Sequence, residues 1–445
     1  MKSRIAHQCA PLLVKILYDI AVLECLPNQY IYGLDYGKIF NVDKAIIGWL
    51  FFLFISFVSI RRLVFCNDNN ITKLVLMLFY IFYIPLNSAF YINDLPISYL
   101  LLTSAYWVII VYLASTVFVF GSSRRVNRKN YNLMHTNVYI EDSTLIQNKL
   151  FYIVCFAVDI ACIIYAYLYN GFSLTLNITD IYDVRSEFAG TTNMLTSLLF
   201  NFGGNIVIGI SMFYGLKYRK YILAIVGVFA QLGIFSIARQ KSNLMLIGAV
   251  LLVYFIDKFK LFHKIKGIVA LGFIALVGSS LFESFVFNTT FIFNLLIRRL
   301  MYYPAWLNGL YFRFFTDNQP LLFTQDAFLV GKLGINRYNQ SVLQLINQAF
   351  FHGYVPSPNA GMFAEAIMHF GWLGAFIFPI IDIVILKWIL KSVDQYDNGI
   401  QLYLIITIIL ALISIPITSG VFWITYVMII PLTFFVKRIQ LNVGK

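Results

Sequence analysis

Long apolar runs, separated by short polar segments, occupy most of the chain. A helix of about 20 apolar residues crosses the roughly 30 Å hydrocarbon core of a membrane. The pattern therefore predicts an all-α polytopic membrane protein with about twelve transmembrane helices. The runs lie near 10–26, 45–60, 74–92, 97–120, 150–170, 194–214, 221–238, 243–256, 267–284, 361–386, 400–417 and 420–436.

Composition supports the membrane assignment. Of the 445 residues, 60% are hydrophobic and 12% are charged, whereas a soluble domain has roughly 25% charged residues. The net charge of +13 is not accompanied by any nucleic-acid-binding motif. The basic N-terminus lacks a small-residue cleavage site, which indicates a retained first span. No two of the five cysteines form a CxxC motif, so neither a disulfide framework nor a zinc site is predicted.

The distribution of Lys and Arg predicts the orientation. With the N-terminus in the cytoplasm, the inward segments hold 22 of the 33 basic residues, and the outward segments hold ten. Short cytoplasmic loops are rich in Lys and Arg, and long loops count little in this rule. Five of the ten outward cations lie in one long loop. We therefore expect both termini in the cytoplasm.

That long outward loop, 285–360, divides the chain into three parts. Residues 1–284 contain nine predicted spans, and 361–445 contain three more spans and a cytoplasmic tail. Within the loop, the stretches FNLLIRRLMYYPAWLNGLYFRFF and NQSVLQLINQAFF have helical spacing. Its aromatic content argues against disorder. We predict an ordered periplasmic loop with short helices lying on the membrane.

The outward turn ARQKSN places two cations, Arg239 and Lys241, where short loops are usually poor in positive charge. They either reach toward lipid headgroups or form an anion site that faces the periplasm.

The stretch RRLMYYPAWLNG begins with Arg298 and Arg299. Arg298, Tyr302 and Trp306 recur at four-residue steps and would share a helix face, although Pro304 distorts that helix or starts a new one. A guanidinium beside aromatic rings suits an anionic group next to a sugar. An interfacial aromatic belt with a basic edge is the alternative.

The stretch PSPNAGMFAEAIMHFGWLGAFIFP places an acid and a histidine in an apolar run. With Asn359 as the N-cap, Glu365 would lie about 9 Å into the helix, and His369 one turn deeper. A carboxylate at that depth needs a partner or water. Glu365 is therefore either a structural acid bonded to a neighbouring span or a residue of a wet cleft, where it could meet an outward arginine. His369 would support it.

His352 is the only histidine of the predicted outward loops, and it is either a solvated residue or a functional one. Another outward loop clusters Asp180, Asp183, Arg185 and Glu187. No tight D-x-D motif faces outward, so a metal-clamped nucleotide-sugar site is not predicted.

The span pattern, the inward termini and the large late periplasmic loop resemble the Wzy-type O-antigen and oligosaccharide repeat-unit polymerases. Arg298-x10-Gly309 is similar to the R-x10-G pattern of periplasmic loops in some of these enzymes. Arg239 is similar to a periplasmic arginine that they share with O-antigen ligases. A third similarity, at the end of the long loop and in the following span, comprises His352, Pro356-x-Pro358, Glu365 and Gly371-x-x-Gly374.

The chain also departs from these patterns. Thr196 stands where a second R-x10-G motif beginning at Arg185 would need glycine, which weakens a paired-arginine mechanism. Ligases usually carry a His-Asn pair at the entrance to the late span, whereas this chain has Pro358-Asn359.

The resemblance implies a metal-independent GT-C-type glycosyltransferase of the bacterial inner membrane that needs no cofactor. It would transfer the growing glycan from undecaprenyl pyrophosphate to a new lipid-linked repeat unit, with a chain-length regulator and a flippase as membrane partners. The implied catalytic residues are Glu365, His352 and Arg298, with Glu365 or His352 as the general base. The implied pyrophosphate ligands are Arg239, Lys241, Arg298 and Arg299, and the implied sugar contacts are Tyr302, Trp306, Arg185 and Asn359.

Three other functions remain open from the sequence. An O-antigen ligase would use lipid A core as the acceptor. A repeat-unit flippase or another transporter would need charges along a central path and has little use for one long outward loop. A scaffold of the export machinery would need no chemistry.

Overall fold

The computed structural model describes residues 2–26, 40–65, 69–116, 149–172, 194–238, 241–325, 336–352, 358–359, 361–394 and 396–433. Regular secondary structure within these ranges is helical. The helices are α1 (Lys2–Cys25), α2 (Val42–Phe65), α3 (Asn70–Ile92), α4 (Ile97–Ser115), α5 (Lys149–Asn170), α6 (194–217), α7 (Tyr221–Ala238), α8 (Lys241–Lys258), α9 (Ile265–Phe287), α10 (293–317), α11 (Val342–Phe351), α12 (Met362–Phe370), α13 (Gly374–Val393), α14 (Asn398–Leu412) and α15 (Gly420–Thr433).

The described chain has seven helical segments long and apolar enough to cross a membrane. These are Val42–Val64, Asn70–Ile92, Ile97–Ser115, Phe151–Asn170, Leu198–Lys217, Leu261–Phe287 and Met362–Val393. They support the predicted class, an all-helical polytopic membrane protein. Helices also cover the other apolar runs, but these are shorter or more polar. The total of twelve spans therefore stays a prediction.

Two predicted spans differ from the observed helices. The run 361–386 is two helices, because α12 ends before a short 3₁₀ turn, Gly371–Leu373, and α13 follows. The run 400–417 is helical only to Leu412, and 413–419 form an irregular connection before α15. Pro416 lies in that connection and cannot supply the N–H that a continuing helix needs.

The long loop contains the two helices that its spacing predicted, α10 and α11. The first ten residues of α10 form a π-helix, Phe293–Tyr302, and Tyr303–Asp317 are α-helical. Most side chains of Tyr303–Asp317 are buried against other helices. α10 is therefore a packed structural element. Its expected position on the membrane surface stays a prediction.

The chain divides into two compact units, and unit 1 comprises Met1–Ser115, Leu261–Trp388 and Ile408–Trp423. In unit 1, α1 packs on α9, α2 packs on α3 and α4, and α10 packs on α3 and α12. Unit 2 comprises Thr116–Lys260, Ile389–Thr407 and Ile424–Lys445. There, α5, α6 and α7 pack on one another, and α8 packs on α6 and α7.

A buried polar quartet lets the charged helix α1 pack inside unit 1. Lys15 is 0% exposed, and its Nζ donates to Asp19 Oδ1 at 3.1 Å, to Tyr91 Oη at 2.6 Å and to Ser88 Oγ. The Ser88 and Tyr91 hydroxyls in turn donate to the Asp19 carboxylate. The quartet explains how a lysine and an aspartate are tolerated in a predicted span, since each charge has partners.

The predicted orientation can be tested with single cysteines in a chain whose own cysteines have been replaced. His352 lies in the predicted periplasmic loop and Lys264 in a predicted cytoplasmic turn, and both are exposed. We expect His352→Cys, but not Lys264→Cys, to react with a membrane-impermeant maleimide in cells with a permeabilised outer membrane. Labelling of Lys264→Cys alone would show that the chain has the opposite orientation in the membrane.

Candidate functional site

Helix α12 is a short buried segment whose ends are fixed by the chain around it. Residues 362–369 are all buried. The helix begins after Gly361, where a Cβ would overlap the carbonyl oxygen of Leu412. It ends at Gly371, which has a φ of +55° that disfavours any residue with a side chain. The N-cap is thus Gly361 and not the expected Asn359, because only glycine fits this close approach.

Glu365 lies in the first turn of α12 and is 1% exposed. Its Oε2 accepts a hydrogen bond from Ile417 N at 2.6 Å, and its Oε1 accepts one from Thr418 N at 2.7 Å. The carboxylate thereby fixes the 413–419 connection against α12. A position at a helix N-terminus also favours the negative charge. Its partners are backbone amides, which fits the first of the two roles that the sequence left open, a structural acid bonded to a neighbouring segment.

His369 is buried one turn further along α12. Its Nε2 is 3.4 Å from Thr418 Oγ1, and its Nδ1 accepts a hydrogen bond from Phe323 N at 3.3 Å. The ring stacks on Phe378 with a centroid distance of 5.7 Å. The support that was expected from His369 for Glu365 is indirect, since both side chains contact Thr418.

The R-x10-G stretch is bonded directly to the segment that contains Glu365. Near the end of the motif, Asn308 Oδ1 accepts a hydrogen bond from Ala364 N at 2.7 Å, and Tyr311 Oη donates one to Pro358 O at 3.0 Å. Gly309 lies against Leu95, whose Cδ1 would be 2.8 Å from an added Cβ. Two motifs identified separately in the sequence are therefore neighbours in unit 1.

The other end of α12 is capped by the chain that follows α10. Leu321 N and Leu322 N donate to the carbonyl oxygens of Met368 and His369, each at 2.9 Å. These bonds satisfy carbonyls that a helix end leaves without an intrahelical partner. The long loop thus bonds to α12 near both of its ends.

The predicted pyrophosphate and sugar residues of α10 lie in different environments. Arg298 is half-buried and Arg299 is exposed. Tyr302 and Trp306 are buried, with Tyr302 Oη accepting a hydrogen bond from Asn93 Nδ2 at 3.2 Å and Trp306 packing edge-on against Phe351. Protein covers both rings in this structure, so a sugar ring has no direct access to them.

The remaining predicted residues are exposed or lie outside the described part of the chain. His352 is exposed and ends α11 in the left-handed conformation, with a φ of 49°. Asn359 is exposed. Arg185, Arg239 and the side chain of Lys241 lie outside the described residues.

Sequence reasoning missed Glu283, which orients the arginine-bearing helix. Its Oε1 accepts hydrogen bonds from Thr289 Oγ1 and Phe291 N, and its Oε2 accepts one from Ile292 N, all at 2.7 Å. The carboxylate thus caps the start of α10, and the capped amides lie six and seven residues before Arg298. An acid in the last turn of an apolar span was the available signal.

Asp382 is a second missed acid near Glu365. It is 0% exposed, and one oxygen accepts a hydrogen bond from Tyr106 Oη. Its Oδ1 has no hydrogen-bond partner among the described residues. The Glu365 and Asp382 carboxyls also interact electrostatically.

A small charged cluster lies where α3 meets α4, beside α10. Lys44 Nζ is 2.8 Å from Asp94 Oδ1, and Arg313 Nη2 donates to Asn93 O at 2.9 Å. The hydrogen bond from Lys44 holds the pKa of Asp94 below its ordinary value. A depressed carboxyl pKa means that this contact favours the fold at neutral pH and is lost as the pH falls toward that pKa.

Asn308→Ala tests whether α10 and α12 depend on their direct bond. The change leaves the buried Ala364 N–H without its acceptor, which we expect to cost about 1–3 kcal/mol. Asn318→Ala, at the exposed end of the same helix, should change stability by less than about 0.5 kcal/mol. Thermal unfolding in one detergent compares the two, and equal effects would contradict the importance of the bond.

Comparisons with known proteins found no matching family model, no matching curated protein and no matching solved structure.

Proposed function

We propose that the protein is a membrane glycosyltransferase that polymerises oligosaccharide repeat units on the outer side of the bacterial inner membrane. It transfers the growing glycan from undecaprenyl pyrophosphate to a new lipid-linked repeat unit, through a GT-C-type fold of about twelve spans. Its partners are the two lipid-linked glycans, a chain-length regulator and a flippase. The proposal rests on the sequence resemblance to repeat-unit polymerases.

The observation that best supports this function is the direct contact between the two motif segments. Asn308 and Tyr311 bind the backbone at Ala364 and Pro358, so the arginine helix and the Glu365 helix form one structural element. An enzyme that acts on a lipid pyrophosphate needs its cations and its acceptor-side groups held at fixed positions. A pair of unrelated surface motifs would not need such a bond.

The proposed chemistry follows from the leaving group. Negative charge grows on the pyrophosphate as the glycosidic bond breaks, and guanidinium groups stabilise that charge more in the transition state than in the ground state. Arg298 and Arg299 would supply guanidinium groups from α10. The sequence resemblance also implies the guanidinium of Arg239 and the ammonium of Lys241 as pyrophosphate ligands. A general base takes the proton of the acceptor hydroxyl as the oxygen of that hydroxyl forms the new glycosidic bond.

The geometry favours different roles for the two base candidates. Both oxygens of Glu365 are engaged by backbone amides, so we assign it a positioning role for the 413–419 connection. His352 is exposed at the end of α11, and it remains the general-base candidate of the long loop. Tyr302 and Trp306 would position α10, and exposed residues such as Asn359 would contact sugar.

One observation favours a transporter as the second candidate. Asp159 in α5 is 0% exposed; Ser211 Oγ donates to one of its oxygens, and its Oδ1 has no hydrogen-bond partner among the described residues. Acids inside a membrane often mark proton or substrate pathways. A repeat-unit flippase would use such a residue.

Extension of a defined lipid-linked repeat by the purified protein tests the proposal. A polymerase lengthens the glycan in detergent without any membrane potential. Translocation without lengthening in vesicles would identify a flippase, and transfer only to lipid A core would identify a ligase. In cells, loss of a polymerase leaves lipid A core with a single repeat unit, whereas loss of a ligase leaves lipid A core without any repeat unit.

Substitution of the arginines tests whether they take part in glycan transfer or only contact lipid headgroups. We expect Arg298→Ala and Arg239→Ala to insert normally and to lose extension, and lysine at either site to restore it only in part, because a point charge lacks the planar fork. Arg61→Ala, which removes an exposed arginine of α2, is the control. If both alanine variants make normal polymer at matched protein levels, these arginines only contact lipid headgroups and take no part in transfer.

A further inference from the structure

Unit 2 contains an apolar groove that the proposed transfer chemistry does not use. Its volume is about 430 Å³, within the roughly 300–1,000 Å³ of ligand pockets. The walls come from α6, α7 and α8. Three of the lining side chains, Tyr221, Ile225 and Phe229, are exposed and lie four residues apart on α7. Because these positions share one helix face, the groove is elongated along α7 and open at the protein surface.

One end of the groove carries positive charge. Leu216 and Tyr221 line the groove, and between them lies the turn 217–220 with Lys217, Arg219 and Lys220. Arg219 and Lys220 are exposed. The positive-inside count places this turn on the cytoplasmic side.

The three cations of the turn are not equivalent. Lys217 Nζ lies 3.3 Å from Asp257 Oδ2 and 3.5 Å from Asp397 Oδ2, so acids neutralise its charge. Lys220 Nζ lies 3.4 Å from the centre of the Tyr152 ring, which orients its side chain without cancelling its charge. The net positive charge at this end of the groove therefore comes from Arg219 and Lys220.

We propose that the groove binds an acyl chain of an anionic phospholipid, with the lipid phosphate against Arg219 and Lys220. An apolar channel that ends at exposed cations matches a molecule with a long apolar chain and one anionic end. A guanidinium and an ammonium together suit a phosphate group.

The position of the charge favours a phospholipid over the polyprenyl carrier. The proposed transfer occurs on the outer side, where a carrier would place its pyrophosphate. The cations of the groove lie at the predicted cytoplasmic end, so they face the headgroups of the inner leaflet. Binding to the folded state would also stabilise unit 2, and the stabilisation would rise with the logarithm of the lipid concentration once that concentration exceeds the Kd.

The test is lipid titration of the purified full-length protein in a neutral detergent, read by native mass spectrometry. The probes are phosphatidylglycerol, phosphatidylcholine and undecaprenyl phosphate. We expect phosphatidylglycerol to bind most tightly. The double variant Arg219→Gln/Lys220→Gln should weaken its binding about tenfold or more, since each cation near a lipid surface contributes substantially. Val228→Phe, which adds bulk to the groove wall, should weaken phosphatidylglycerol and phosphatidylcholine alike.

The matched control is Arg61→Gln/Lys264→Gln, which removes an exposed arginine and an exposed lysine of unit 1 on the same predicted side. It should leave lipid binding unchanged. Equal binding of phosphatidylglycerol and phosphatidylcholine, or equal losses in the two double variants, would overturn the proposal. Preference for undecaprenyl phosphate would assign the groove to the carrier instead. Since the readout is binding, the result does not depend on whether the protein transfers glycans.

Discussion

Glu365→Gln is expected to lower chain extension by about a hundredfold or more, because small displacements of a positioned element have effects of this size. The carboxylate accepts two backbone N–H groups on separate oxygens. A glutamine has one acceptor and one donor there. Either Ile417 N or Thr418 N would face an NH₂ group and lose its buried hydrogen bond. The 413–419 connection would then shift relative to α12.

Two further variants, one at Glu365 and one at Thr418, test whether the placement of the carboxylate matters as well as its charge. Glu365→Asp keeps both acceptors but is shorter by one methylene, so it should retain reduced activity. Thr418→Ala keeps the backbone N–H and removes the hydroxyl that approaches His369, so its effect should be milder still. The length distribution of surface glycan at matched protein levels is the measurement.

The control for the charge is Asp43→Asn, which neutralises an exposed acid in the first turn of α2 and should leave the glycan ladder normal. Thermal unfolding of each purified variant shows whether lost extension follows from lost fold. A Glu365→Gln strain with a normal ladder would mean that the acid is only a buried structural group. The assignment of the site around α12 would then be wrong.

Lys15→Ala is expected to have the largest effect on stability. It leaves the Asp19 carboxylate buried without its cation, and breaking a buried pair in this way costs about 3–5 kcal/mol. Lys15→Met/Asp19→Asn removes both charges, so it should cost less than the sum of the two single changes. Unfolding in a single detergent is measured for Lys15→Ala, Lys15→Met, Asp19→Asn and the double variant.

Lys44 provides the matched comparison for Lys15. Its pair with Asp94 is partly exposed, with side-chain exposures of 27% and 38%. Partly exposed pairs contribute roughly 0.2–1 kcal/mol, so Lys44→Ala should be mild. If Lys15→Ala destabilises no more than Lys44→Ala, the quartet of α1 and α3 does not hold the two helices together.

The helices themselves were predictable because hydrophobic runs are a local property of the chain. A described helix lies in each predicted apolar run, and the spacing within the long loop predicted α10 and α11. The break at Gly371 was not predicted, since a glycine in an apolar run reads equally well as part of a continuous span. Its positive φ exists only because the chain turns there from α12 into α13.

The sequence identified candidate residues by their chemical type, but it did not identify the groups that they contact. An acid in an apolar helix must be satisfied, and this singled out Glu365 from the sequence. Its partners, Ile417 and Thr418, lie 52 and 53 residues away, at the end of one predicted span and in the turn that follows it. Tyr302 and Trp306 were expected to face a ligand, and packing against Asn93 and Phe351 buries them instead.

The sequence by itself determined that the chain is helical and suited to a membrane, because apolarity and helical spacing act over neighbouring residues. Only the tertiary structure decided which groups satisfy the buried acids. Glu283 caps α10, and Asp382 accepts from Tyr106, which is 276 residues away. Such partners are selected by the packing of distant helices, since a buried carboxylate binds whichever donors the fold brings to it.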